Sequence, residues 1–410
     1  MRATAVTVMA LLVAGATLDV APGSAFASSS HTSSSKASSS QADAYLFLDQ
    51  MMDKYATGTT LRLVQSFTGG HLQKKDYTDS VTYDDALITD ALLARGQSAD
   101  VSRAEIIGNA LLYVQAHDPA HDGRIRAAYA PDPLTRPSAV TATDPTSDVG
   151  NMAWVGQALL QLYARTGVAA YLTGASALAQ WIQTNTYDTR GAGGYTGGLS
   201  DSGKKITWKS TEHNIDVYAL FTLLATESGD AVWTTRATWA KQFVGSMWDS
   251  AQGRFFVGTL DDGVSVNTSE QPEDVNSWSY LALEDPTYAA SVTWDVHNLA
   301  VTANGFSGVS FCLGDRSGVW FEGTAHLAEA LQVRQAAGDL AQADTYLNDI
   351  AHAQVAGKNA DGLGIIAASK NGLSDCDGGK YYASLHTGAT AWYLLALQDA
   401  DPFHVLAPPA

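Results

Sequence analysis

Several features are scarce in this chain of 410 residues, and each scarcity removes a class of function. Lysine and arginine number 24 against 42 aspartates and glutamates, a formal charge of −18. So acidic a chain is not built to neutralise phosphate, which argues against nucleic acid or an anionic membrane as partner. A strongly acidic polysaccharide is disfavoured for the same reason. Long apolar runs are missing, since nothing after the first 27 residues reaches the roughly 20 residues that a membrane-spanning helix needs. Only two cysteines occur, Cys312 and Cys376, too few to make a zinc site by themselves. No His-Glu-x-x-His motif is present, and His71, His117, His121, His297, His326, His352 and His404 are scattered. No metal or other cofactor is therefore expected. Gly191 to Gly198 is glycine-rich but lacks the Lys-Ser/Thr ending of a phosphate loop.

What is present begins with a leader. Met1 and Arg2 precede an apolar run from Ala5 through Ala16, and Ala25-Phe26-Ala27 forms a small-x-small end. Residues 1–27 read as a signal peptide, which implies a secreted or periplasmic protein. Arg2 and Asp19 leave together, so the charge survives cleavage. Residues 28–41 are nearly all serine and have no apolar face to bury, the composition of a disordered tether. Residues 42–405 contain no second linker and read as one large domain, expected to be a monomer. In an exported protein Cys312 and Cys376 are expected to form one disulfide.

Within the domain the dominant pattern is helical, interrupted by glycine and proline loops, with few alternating strands. Six segments open on a polar or acidic cluster and continue as an Ala/Leu-rich helix: Tyr83 to Gly96, Asp148 to Gly167, Thr211 to Gly229, Glu273 to Leu283, Val319 to Gly338 and Leu385 to Gln398. More polar helices lie between them, at 101–116, 170–184, 231–249, 288–301 and 341–355, and 42–55 supplies the twelfth. Six small, apolar helices alternating with six more charged ones describe an all-α toroid with an inner and an outer layer, an (α/α)6 barrel. The inner helices then run the same way, so their N-termini and polar clusters gather at one mouth. Asp or Glu there is also a plain helix cap, and Ser147 or Asp148, and Ser210 or Thr211, are candidates for that role.

Four clusters carry candidate chemistry. In Trp208-Lys209-Ser210-Thr211-Glu212-His213-Asn214, a carboxylate, an imidazole and an amide share one helical turn. In Trp320-Phe321-Glu322-Gly323, a glutamate sits beside a glycine that permits close approach. Asp84 and Asp148 open the first two inner helices and supply opposed carboxylates. Cleaving a glycosidic bond needs a carboxylic acid to protonate the leaving oxygen and a second carboxylate to activate water or attack the sugar. Glu212 and Glu322 are the candidate acids, and Asp148 and Asp84 the candidate partners. Trp154, Trp208, Trp278 and Trp320 fall at the mouth, where aromatic faces suit sugar rings. Tyr195, His213, Asn214, Asp274 and His386 complete the expected binding set.

These opening clusters resemble the six-hairpin glycosidase superfamily, through Tyr83-Asp84-Asp85-Ala86, Gly150-Asn151-Met152-Ala153-Trp154, Trp208 through Asp216, and Trp320-Phe321-Glu322-Gly323-Thr324-Ala325. The resemblance implies an (α/α)6 barrel and, most often, an inverting glycoside hydrolase with acidic residues at the mouth. The same architecture hosts epimerases and polysaccharide lyases. The leading expectation is a hydrolase of a neutral oligo- or polysaccharide. The alternatives are a lyase or epimerase using His213 or His386 with Tyr195 or Tyr218, and a glycan-binding protein without turnover.

Overall fold

The structure, a computed structural model, describes residues 30–131, 142–269 and 271–407. The expected leader at 1–27 lies outside them. Helices α1 (Ser30–Asp53), α2 (Gly70–Gln73), α3 (Thr82–Arg95), α4 (Ser98–Ala116), α5 (Val149–Thr166), α6 (Ala169–Thr186) and α7 (Thr211–Ser228) form the first half. Helices α8 (Ala231–Ser246), α9 (Asp274–Leu283), α10 (Ala289–Asn298), α11 (Phe321–Arg334), α12 (Asp339–Ala356) and α13 (Thr387–Ala396) form the second. Apart from the single turn α2, these are the twelve expected helices.

Helices α3, α5, α7, α9, α11 and α13 pack in sequence, and α13 closes on α3. That ring is the inner layer of an (α/α)6 barrel. Outer helices α4, α6, α8, α10 and α12 each pack on the inner helix before them, while α1 packs on α13 and completes the sixth hairpin. Composition explains the layering. Every residue of α9 and of α13 is buried, because an inner helix meets protein on all sides. An outer helix buries one stripe, as α8 does with Trp233, Ala237, Ala240, Phe243 and Val244.

Helix ends follow local rules. Gly96, Gly167 and Gly229 close α3, α5 and α7 in the left-handed conformation at φ 61°, 69° and 70°. Among the alternative N-caps, the side chains that accept are Asp148, from the Asn151 N–H, and Ser210, from the His213 N–H.

Residues 30–41 of the serine-rich stretch fall within the bounds of α1. Ser40 is buried, and its hydroxyl bonds to Gln354 Oε1 at 2.6 Å and to the Tyr393 hydroxyl at 2.8 Å. A small polar residue is thus accommodated by partners on α12 and α13 that local composition does not reveal.

Short antiparallel strand pairs crown the N-terminal ends of the inner helices. Residues 67–68 pair with 385–386, placing Phe67 opposite His386 and tying the first hairpin to the last. Residues 147–148, 198–199 and 205–206 form a three-stranded patch above α5. Cys312 and Cys376 form the expected disulfide, 64 residues apart in sequence. At the opposite end the C-terminal tail enters the barrel: Gln161 donates to the His404 carbonyl at 2.6 Å and accepts from the Leu406 N–H at 3.0 Å. No described helix is long and apolar enough to cross a membrane.

Candidate active site

The N-terminal ends of five inner helices, α3, α5, α7, α9 and α11, line a cavity of about 310 Å³. Eight of the expected residues line it: Asp148, Trp154, Glu212, His213, Asp274, Trp278, Trp320 and Glu322. Trp208 lines a second, outer cavity of about 660 Å³, which shares Glu212, His213, Asp274, Phe311 and Tyr381 with the first.

On one wall, Glu322 stands in the first turn of α11. Its Oε1 accepts from the Tyr83 hydroxyl at 2.8 Å, and Trp392 Nε1 donates to that same hydroxyl oxygen at 2.8 Å. Behind Glu322 lies His386, with Nδ1 3.3 Å from Glu322 Oε2 and Nε2 3.2 Å from Asp84 Oδ2. The Ala389 N–H donates to Nδ1, so the neutral ring carries its hydrogen on Nε2, facing Asp84. Phe67 stacks flat on this imidazole at 4.0 Å. Burial pushes the Glu322 carboxyl up to about 7; His386 and the Tyr83 bond oppose the rise and Asp84 adds to it. Burial lowers His386, but Asp84 and Glu322 outweigh it and hold the imidazole above its ordinary value.

On the facing wall, His213 Nε2 lies 3.5 Å from Asp148 Oδ1, and the Trp208 ring tilts beside the imidazole at 5.5 Å. Gly150 makes this approach possible, since a β-carbon there would sit 2.7 Å from His213 Cδ2 and 3.2 Å from Asp216 Oδ2. Glu212 is driven well above the ordinary glutamate range, first by burial and then by the charges of Asp274, Asp148 and Glu322. Burial also raises Asp274 to about 7, with Glu322 adding to the shift and the Val275 N–H opposing it. Burial and mutual charge thus shift several carboxyl groups of the site toward their neutral form. Among the described residues, no lysine or arginine lines the inner cavity. In the outer one, Lys209 donates to the Arg190 and Gly193 carbonyls at 2.7 and 2.8 Å, with Asp188 at 3.5 Å.

The floor is aromatic. Trp154 and Trp278 line the cavity and pack on Phe403 of the C-terminal tail at 5.1 and 5.6 Å between ring centres. The indole N–H groups of Trp278 and Trp320, together with Asp274 Oδ1, are buried with no hydrogen-bond partner among the described residues, while the Trp154 N–H faces Asp216. A ligand rich in hydroxyls satisfies such groups.

Four expected residues do not line either cavity. Asp84 and His386 form the chain behind Glu322 described above. Tyr195 is fully buried, its hydroxyl bonded to Gln183 Oε1 at 2.9 Å, because the glycine-rich segment folds inward against Phe221 and not toward the mouth. Asn214 is structural as well: its amide accepts from the Tyr195 N–H at 2.8 Å and donates to the Tyr195 carbonyl at 3.0 Å. Other lining residues were not anticipated, namely Tyr83, Asn151, Phe311, His326 and Tyr381. His326 had a legible signal, because it follows Glu322 by four residues and so shares its helix face. Its Nδ1 lies 3.1 Å from Glu273 Oε2, and burial drives the imidazole well below its ordinary value. Phe311 and Tyr381 come from loops whose path only the tertiary structure sets.

Neither a protein-family model nor a curated protein matches the sequence. Solved structures do match in fold. Cellobiose 2-epimerase from Bacillus thermoamylovorans aligns over 90% of this chain and 99% of its own, with a TM-score of 0.68 and 10% identity. A glycosidase variant in complex with glucose aligns over 93% and 100%, with a TM-score of 0.62 and 14% identity. A D-mannose isomerase aligns over 87% and 97%, at 0.62 and 12%. These likenesses show the fold, an (α/α)6 barrel shared with sugar-active enzymes of different reaction types.

Proposed function

We propose that the chain is a glycoside hydrolase acting on a neutral glycan. The observation that carries this reading is the gathering of Glu212, Asp148, Asp274 and Glu322 around one aromatic-floored cavity with no lysine or arginine among its described lining residues. Burial and the acidic neighbours of Glu212 push it toward the protonated form, the state a general acid needs. It donates its proton to the glycosidic oxygen as the bond to the anomeric carbon breaks. Asp148, on the wall that His213 shares, takes a proton from the water that attacks that carbon. Both groups then exchange protons with solvent. The indole N–H groups of Trp278 and Trp320 donate to ring hydroxyls, and among the described residues no lysine or arginine of the inner cavity offers an acidic sugar a counter-ion. This weakens the lyase reading, which calls for uronic acids.

The test is a panel of neutral oligosaccharides and aryl glycosides, assayed for released reducing ends with wild type, Glu212→Gln and Asp148→Asn. Each substitution is expected to lower kcat by about 10²- to 10⁴-fold. Full activity in either variant removes that residue from its role. A second reading, sugar epimerisation, is favoured by one observation: His213 and His326 both line the cavity, as a pair of proton carriers would. Incubation of reducing disaccharides in D2O separates the two, since epimerisation places deuterium on a sugar carbon without cleaving the chain.

A further inference from the structure

We infer that the two cavities hold a linear neutral oligosaccharide end-on, its terminal unit in the inner chamber and the next two in the outer one. This rests on the hydrolase reading only for its consequence, release of one terminal unit per event; the binding mode stands on geometry.

Three observations order the chambers along the barrel axis. First, every residue lining the inner chamber is buried or half-buried, whereas the outer chamber reaches exposed residues, including Leu260, Asp261, Asp262 and Asp377. Second, the inner floor is closed by Trp154 and Trp278 packed on Phe403, and the tail bearing Phe403 is anchored through Gln161. A chain cannot thread past that floor. Third, Glu212, His213 and Asp274 line both chambers and so mark the junction. Asp274 Oδ1 is buried at 6% residue exposure and has no partner among the described residues, leaving an acceptor for a ligand hydroxyl at this point.

The volumes set the length. If the inner chamber, about 310 Å³, takes one ring, the outer, about 660 Å³, takes two. Trp208 is the aromatic wall of the outer chamber, and the disulfide-bonded Cys376 lies in the loop facing it. Asp261, Asp262, Asp375 and Asp377 share that rim, while the Lys209 ammonium is already taken by carbonyls, so sulfated or uronic units are repelled.

The experiment uses neutral linear gluco- and manno-oligosaccharides of one to six units, titrated calorimetrically into Glu212→Gln protein. For the series that binds, affinity is expected to rise to three units and then stay level. Trp208→Ala should remove about tenfold of the gain from the second and third units while leaving the one-unit affinity within twofold; Trp208→Phe should restore most of it. Product analysis on wild type should show one-unit release from the earliest times. Affinity still climbing at five and six units, no binding by either series, or early products of mixed internal lengths would overturn the inference. Length-dependent binding without any cleavage would support the binding mode and sink the hydrolase reading instead.

Discussion

Glu322 offers a quantitative test of the site's electrostatics through stability alone. Its carboxyl ordinarily titrates at 4.5 and is pushed up to about 7 in the folded protein. The native state therefore keeps a proton that the unfolded chain releases. The resulting stabilisation is fully present below pH 4.5 and is lost as pH rises toward 7 and past it. Over the whole window the loss is about 3 kcal/mol, and between pH 5 and pH 8 it is about 2.5 kcal/mol. Glutamine has the shape of the neutral acid, can accept from Tyr83 and does not titrate. Glu322→Gln should thus gain on wild type by about 2.5 kcal/mol between pH 5 and pH 8. Guanidinium unfolding followed by tryptophan fluorescence at pH 5, 6, 7 and 8 reads this as a difference of differences, in which titrating groups that Glu322 does not influence cancel. Parallel curves for the two proteins, within about 0.5 kcal/mol, would refute the placement of a buried neutral carboxyl at Glu322.

Further outcomes are expected. Asp84→Asn removes the largest influence raising His386, so the imidazole should titrate lower, as an NMR pH titration of its ring protons would record. Gly388→Ala inserts a methyl group against Asp84 and 2.9 Å from His386 Cε1; it should cost about 1 to 3 kcal/mol in denaturant unfolding, and no loss would mean the chain behind Glu322 is loosely packed. Cys312→Ser with Cys376→Ser opens a link spanning 64 residues. The chain-entropy cost is about 4 kcal/mol, or roughly 5 °C in a calorimetric scan of a chain this long. Asn214→Ala unties both backbone groups of Tyr195 and should lower stability by about 1 to 3 kcal/mol while changing substrate affinity little.

The inner and outer layers were legible because each is a local property. A helix flanked on all sides by protein must be small and apolar throughout, and 387–396 reads that way without any partner in view. Glycine at the helix ends and Asp148 or Ser210 before helix starts are likewise local. Once helices alternate around a ring, the gathering of Glu212, Asp148, Asp274 and Glu322 at one mouth follows from direction alone. Ser40 is the complementary case, since it is held by Gln354 and Tyr393 from more than 300 residues away.

Sequence by itself thus determined the six hairpins, the end at which their polar clusters meet and the pairing of the two cysteines. Only the tertiary structure decided which polar residues face the cavity and which hold the walls. Asp84 and Asp148 open equivalent helices, yet one lies behind Glu322 and the other lines the site. Tyr195 and Asn214 turn inward to bind each other, while Phe311 and Tyr381 arrive from loops. The physical reason is range. Helix type and direction are fixed within a few turns of chain. The depth, neighbours and protonation of a carboxyl depend on groups brought together from six separate hairpins.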